Sequence, residues 1–121
     1  MEQHEAQAVE RLAGLIGLCR RAGKCASGEE ACQKALRSGK ARLMLLCASA
    51  GPNTEKRFIN MAAQCKVPIW RLEKGVLEAA TGRTNLKTFV VTDAGFGREM
   101  TKWLAYRTSG VQAVNVESQD Q

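Results

Sequence analysis

The run Arg42-Leu-Met-Leu-Leu-Cys47 constrains this chain more than any other stretch. Side chains of a strand alternate between its two faces, so a strand that is apolar at successive positions must be covered on both. The run therefore predicts a central strand with packed layers above and below it. Just before it lies a short helical pattern. Ala31, Cys32, Ala35 and Leu36 fall on one face, with Gln33, Lys34 and Arg37 outside it. Ser27 followed by Glu30 reads as a capping box at the start of that helix, and Gly39 reads as the left-handed cap that ends it.

The remaining elements alternate around this pair. Ala8, Leu12, Leu15, Ile16 and Cys19 recur at helical spacing and predict a helix over residues 6–21, after a polar lead-in at 1–5. Gly14 and Gly17 lower its propensity, which suggests a close approach by another backbone. Lys24–Ala26 is a short strand candidate. Asn53 is a good N-cap for a helix whose stripe is Phe58, Ile59, Ala62 and Ala63. Val67–Leu72 is a strand with Pro68 at its entry, where a missing N–H is tolerated. Leu77 and Ala80 sit on a short helix closed by Gly82, and Arg83–Lys87 is a polar loop. Thr88–Thr92 is a strand, and Asp93 caps a last helix carrying Phe96, Met100, Trp103 and Leu104. From Thr108 polarity rises and periodicity ends, so residues 1–107 are expected to form one domain and 108–121 a polar, flexible tail. Helices alternating with strands in this way predict an α/β layered sandwich with helices on both faces of one sheet.

Several function classes are disfavoured. No apolar run approaches the roughly 18 residues of a bilayer span, and the opening MEQHEAQAVE is polar and acidic, unlike a secretory signal. The expected compartment is the cytoplasm. Five cysteines (19, 25, 32, 47 and 65) form no CxxC pair, so no disulfide framework, metal site or cofactor is expected. Cys25, in a loop, is the thiol to watch. The one histidine, His4, lies in the lead-in, which leaves no partner for a nucleophilic dyad, and no glycine-rich phosphate loop follows a strand. The chain reads as non-catalytic.

Charge points the other way, toward a partner. The formal net charge is +6. Between residues 20 and 42 stand Arg20, Arg21, Lys24, Lys34, Arg37, Lys40 and Arg42 against only Glu29 and Glu30, a local excess of five. A basic patch this concentrated suits an anionic partner.

Four stretches then carry a family resemblance. They are Arg21-Ala-Gly-Lys24 with Ser27-Gly-Glu-Glu30; Lys34-Ala-Leu-Arg-Ser-Gly-Lys-Ala-Arg-Leu-Met-Leu-Leu46; Leu77-Glu-Ala-Ala-Thr-Gly82; and Val91-Thr-Asp-Ala-Gly-Phe96. In order and spacing, over about residues 9–104, the chain resembles the kink-turn RNA-binding ribosomal-protein superfamily of the L7Ae and L30e type, and within it the small bacterial YlxQ-like branch. The resemblance implies a three-layer α/β/α sandwich with a mixed, mainly four-stranded sheet, in agreement with the element order. It also implies a structured RNA as partner, kink-turn-like or ribosomal, bound by a monomer without a membrane.

In that family RNA is gripped by the turn opening the second helix, with the pattern Gly-x-Asn-Glu-x-x-Lys, and by the loop after the fourth helix. Laid on this chain, the pattern begins at Gly28; Glu30 stands at its Asn position, Ala31 at its Glu position and Lys34 at its Lys position. The second loop becomes Arg83-Thr84-Asn85-Leu86. The implied binding face is Gly28, Glu29, Glu30, Lys34 and Arg37 with Arg83, Thr84 and Asn85 opposite, and Lys24, Lys40 and Lys56 adding electrostatic attraction. A carboxylate accepts but cannot donate, so Glu30 in place of Asn weakens the expectation of kink-turn specificity. The alternative is a protein-interaction module with the same fold that has lost the RNA site.

Overall fold

The computed structural model describes the backbone of residues 2–105 and 111–113, and the side chains of 7–105. The element order is α1 (Glu2–Arg21), β1 (Cys25–Ser27), α2 (Glu29–Arg37), β2 (Leu43–Cys47), α3 (Pro52–Cys65), β3 (Ile69–Leu72), α4 (Val76–Thr81), β4 (Thr88–Val91), α5 (Ala94–Leu104) and β5 (Val111–Ala113). Every residue of β2 is buried, as its sequence demands. Leu43, Leu45 and Cys47 pack with Phe89, Val91 and Leu72 beneath α1, α4 and α5. Met44 and Leu46 pack with Val90 and Ile69 beneath α2 and α3. The result is the three-layer α/β/α sandwich with a mixed sheet.

The strand order is β1-β4-β2-β3-β5, with only the β2–β3 pair parallel. The first four strands form the sheet expected from the sequence. β5, which pairs with β3 through Leu72↔Val111, falls inside the segment read as a tail. Three residues are too few to show a period of two, and the exposed edge of β3 supplies the pairing that local sequence could not signal. Residues 108–110 and 114–121 of that tail lie outside the described residues.

Three helix starts differ from expectation. α1 begins at Glu2, not residue 6, because the run before its apolar stripe holds no glycine or proline and is rich in Glu, Gln and Ala. Ser27 does not cap α2: Gly28 is the N-cap, without a side-chain cap bond, because Ser27 is still the last residue of β1, paired with Phe89. Asn53 does not cap α3 either, since Gly51 takes that place with Pro52 as the first helical residue, where its fixed φ suits a helix start. Asp93 does cap α5, its carboxylate accepting from the Phe96 N–H at 2.9 Å. Ala31 is exposed instead of sharing the apolar face of α2.

Gly17 meets the expectation of a close helix contact. A Cβ there would stand 3.2 Å from the Ala80 carbonyl of α4. Among the described residues no helix is long and apolar enough to cross a membrane.

Candidate nucleic-acid interface

The sheet register decides which of the expected site residues can act together. One end of the sheet carries Ser27, Phe89, Thr88 and Cys47; the other carries Cys25, Val91 and Leu43. α2 starts at the first end, where the Gly28 N–H donates to the Thr88 carbonyl at 3.1 Å. The loop after α4 also lies at that end, because it leads into Thr88.

That loop is built by its own residues. Gly82 ends α4 in the left-handed conformation. The Thr81 hydroxyl donates to the Leu77 carbonyl at 2.7 Å and accepts from the Arg83 N–H at 3.3 Å. Asn85 sits at φ 59°, a left-handed position that Asn tolerates, and its N–H donates to the Glu78 carboxylate. Leu86 is buried and anchors the far side. Arg83, Thr84 and Asn85 are left exposed on a pinned loop.

The two loops meet. Arg83 Nη1 donates to Ser27 Oγ at 2.9 Å, which brings the guanidinium to the turn that opens α2. There the backbone swings through Gly28 at φ 91° and ψ 157°. The N–H groups of Glu29, Glu30 and Ala31 begin the helix with no side chain capping them, so they are available to an anion. Glu29 is turned aside by an ion pair with Arg57 of α3, a residue the sequence did not single out because pairing across two helices has no linear signature. The Arg57 guanidinium also lies over the Phe58 ring, 5.4 Å from its centre. That pairing offsets one of the two carboxylates in a turn that would otherwise repel phosphate. Glu30 remains exposed.

Lys34 is exposed farther along α2, and Arg37, in the last turn, donates to Gln33 at 2.7 Å. Lys56 is exposed on α3 beside Arg57. Lys24 and Lys40 are not part of this cluster. Lys24 precedes β1 and its carbonyl accepts from Thr92, while Lys40 lies two residues before Arg42, whose N–H donates to Val91. Both stand at the opposite end of the sheet, about 10 Å or more away at strand rise.

One thiol is placed differently from the sequence reading: Cys25 belongs to β1 rather than a loop and is half-buried. Cys65, at the end of α3, is exposed. Burial pushes the Cys19 thiol up to about 12 and Cys32 up to about 11, and also raises Cys25, against the opposing pull of Arg20 and Arg83. Such thiols stay protonated and unreactive at neutral pH.

Comparison with known proteins decides the family. Residues 10–100 match the sequence profile of the ribosomal protein L7Ae/L30e/S12e/Gadd45 family. The chain belongs to that family. It is 35% identical over 91 residues to the RNA-binding protein YlxQ of Bacillus subtilis, covering 74% of this chain and 91% of the relative. It is 30% identical over 91 residues to the RNA-binding protein YlxQ of Enterococcus faecium, covering 74% and 87%. A solved structure of a protein of unknown function from Bacillus halodurans superimposes with a TM-score of 0.73 at 29% identity, covering 77% of this chain and 95% of that one. The YlxQ-like branch is thus the right part of the family.

Proposed function

We propose that this protein is a non-catalytic RNA-binding protein that grips a structured RNA, kink-turn-like or ribosomal, between the turn at Gly28 and the loop at Arg83–Asn85. The observation that carries this reading is the Arg83–Ser27 hydrogen bond, which joins the two family loops beside an uncapped helix start. Two relatives named RNA-binding proteins support it. Phosphate would meet the free N–H groups of α2 and the Arg83 guanidinium, with Lys34 and Lys56 adding field. Thr84 and Asn85 offer donors and acceptors to splayed bases, the usual way irregular RNA is read. The chain would act in the cytoplasm as a monomer.

Binding of a kink-turn hairpin, followed by fluorescence anisotropy against salt, tests the reading. Contact with about four phosphates gives a log–log slope near −3 to −4. Lys34→Ala and Arg83→Ala should each cost roughly 1–3 kcal/mol of affinity, the range of a charge-assisted contact, with melting unchanged. Two variants that bind like the parent would show that the face is wrong. The second reading, a protein-docking module, draws on exposed Glu30 and Ala31 in the turn. A parent that binds no hairpin at low salt would favour it.

A further inference from the structure

The chain's positive charge does not collect at the Gly28 turn. That end of the sheet is mixed: Glu29, Glu30 and Glu78 stand among Arg57, Arg83 and Lys87. The opposite end is different. Lys24 leads into β1, Lys40 and Arg42 lead into β2, and Lys66 ends α3 just before β3. Of the nearby carboxylates, Asp93 is engaged as the cap of α5 and Glu99 pairs with Lys102.

A cleft of about 340 Å³ opens at this basic end, lined by Arg42, Ala94, Gly97, Arg98 and Thr101. Ala94, Gly97, Arg98 and Thr101 follow one another at helical spacing, so they form a second stripe on α5, beside the core stripe of Met100 and Leu104. The stripe is built of small residues apart from Arg98. At Gly97 a Cβ would stand 3.5 Å from the Arg42 Cβ, so the start of the Arg42 side chain lies directly against α5, and Arg42 lines the cleft. The Thr101 hydroxyl donates to the Gly97 carbonyl at 2.7 Å and keeps its lone pairs. Among the described residues neither Arg42 nor Arg98 has a carboxylate partner: the ion pairs are Arg57–Glu29, Arg71–Glu55 and Lys102–Glu99. Two arginines without a carboxylate partner among the described residues, lining one cleft at the end of the sheet that also carries Lys24, Lys40 and Lys66, suit a phosphate, which a guanidinium fork can bind in bidentate fashion.

We propose that this cleft is a second phosphate-binding site, one that takes a backbone phosphodiester of the same RNA at a distance from the Gly28 turn. Lys34 and Arg37 lie along α2 on the other face of the sheet, so an RNA strand leaving the turn would reach the cleft by passing round the basic end at Lys40 and Arg42. The proposal rests on the RNA-binding reading above, and the test separates the two.

The test uses the full chain and a kink-turn hairpin, with and without a duplex arm of one further helical turn. Arg42→Gln with Arg98→Gln keeps most of each stem and removes both charges. The parent should bind the long RNA with a salt slope steeper by about 1.8 than the short one, the release expected from two phosphates, and the double variant should lose that increment. At 0.15 M salt this corresponds to a loss of about thirtyfold on the long RNA, with the short hairpin unaffected. Equal binding of both RNAs by parent and variant would overturn the cleft proposal and leave the Gly28 reading standing. Failure of the parent to bind either RNA would remove that reading and the cleft proposal with it. A titration with inorganic phosphate, read at the Arg side-chain Nε–H resonances, separates the sources. Shifts at Arg42 and Arg98 with phosphate, combined with no increment on the long RNA, would assign the cleft to a free anion and overturn the RNA proposal.

Discussion

Gly28 and Gly51 offer an internal experiment on backbone and binding. Gly28 opens α2 at φ 91° and ψ 157°, and Gly51 opens α3 at φ 94° and ψ 150°. Both lie in a region that residues with a Cβ occupy only under strain of about 1–3 kcal/mol. A Cβ at either position would meet no atom within 4 Å, so replacement by Ala adds no clash. Alanine also restricts the unfolded chain, which returns about 0.4–1 kcal/mol. Each variant should therefore be destabilised by about 1–2 kcal/mol, or about 4–8 °C in melting temperature for a domain of this size. Their effects on RNA should diverge. The methyl at Gly28 would project where the RNA backbone approaches the α2 N–H groups, and affinity should fall about tenfold, equivalent to roughly 1.4 kcal/mol. Gly51→Ala should bind like the parent. Thermal melting and anisotropy on the same two proteins decide it. Unchanged melting in both would refute the strain argument, and equal loss of RNA affinity in both would refute the placement of the site.

Two further outcomes are expected. Glu30→Asn with Ala31→Glu restores the family pattern at constant charge and should raise affinity for a kink-turn hairpin about tenfold, because the exposed base edges gain both donors and acceptors; since the Gly28 cap uses no side chain, melting should barely change, and a variant with no gain would exclude that mode of recognition. Cys19 and Cys32 should resist alkylation at pH 8 while Cys65 reacts, and because the folded thiols hold their protons to about 12 and about 11 from an ordinary 9.0, stability should fall as pH rises above about 9; rapid native labelling of all five would contradict the burial.

The sequence made the layers legible because β2 is apolar at every position and only a covered strand tolerates that. Asp93 and Gly82 were readable as caps because each acts on its own neighbours in the chain. Ser27 and Asn53 misled for the opposite reason. Each is a good cap by type, but glycine at the next turn or before the proline sets the chain direction, and Ser27 is held in the sheet by Phe89. β5 was hidden because its signal is the open edge of β3, which is far away in sequence. In the site, Gly28 and the Arg83 loop could be found by pattern. The Glu29–Arg57 pair and the Arg83–Ser27 bond could not, since both join residues distant along the chain. The basic run from Arg20 to Arg42 looked like one patch, yet the sheet divides it, sending Lys24 and Lys40 to the end away from Gly28.

The most direct test of where RNA docks is the map of backbone amide shifts when the isotope-labelled chain is titrated with a kink-turn hairpin. The expected result is that Gly28, Glu29, Glu30 and Ala31 shift together with Arg83, Thr84 and Asn85, while the amides of Gln64 and Cys65, exposed at the far end of α3, stay in place. Saturable binding that moves neither loop would contradict the account.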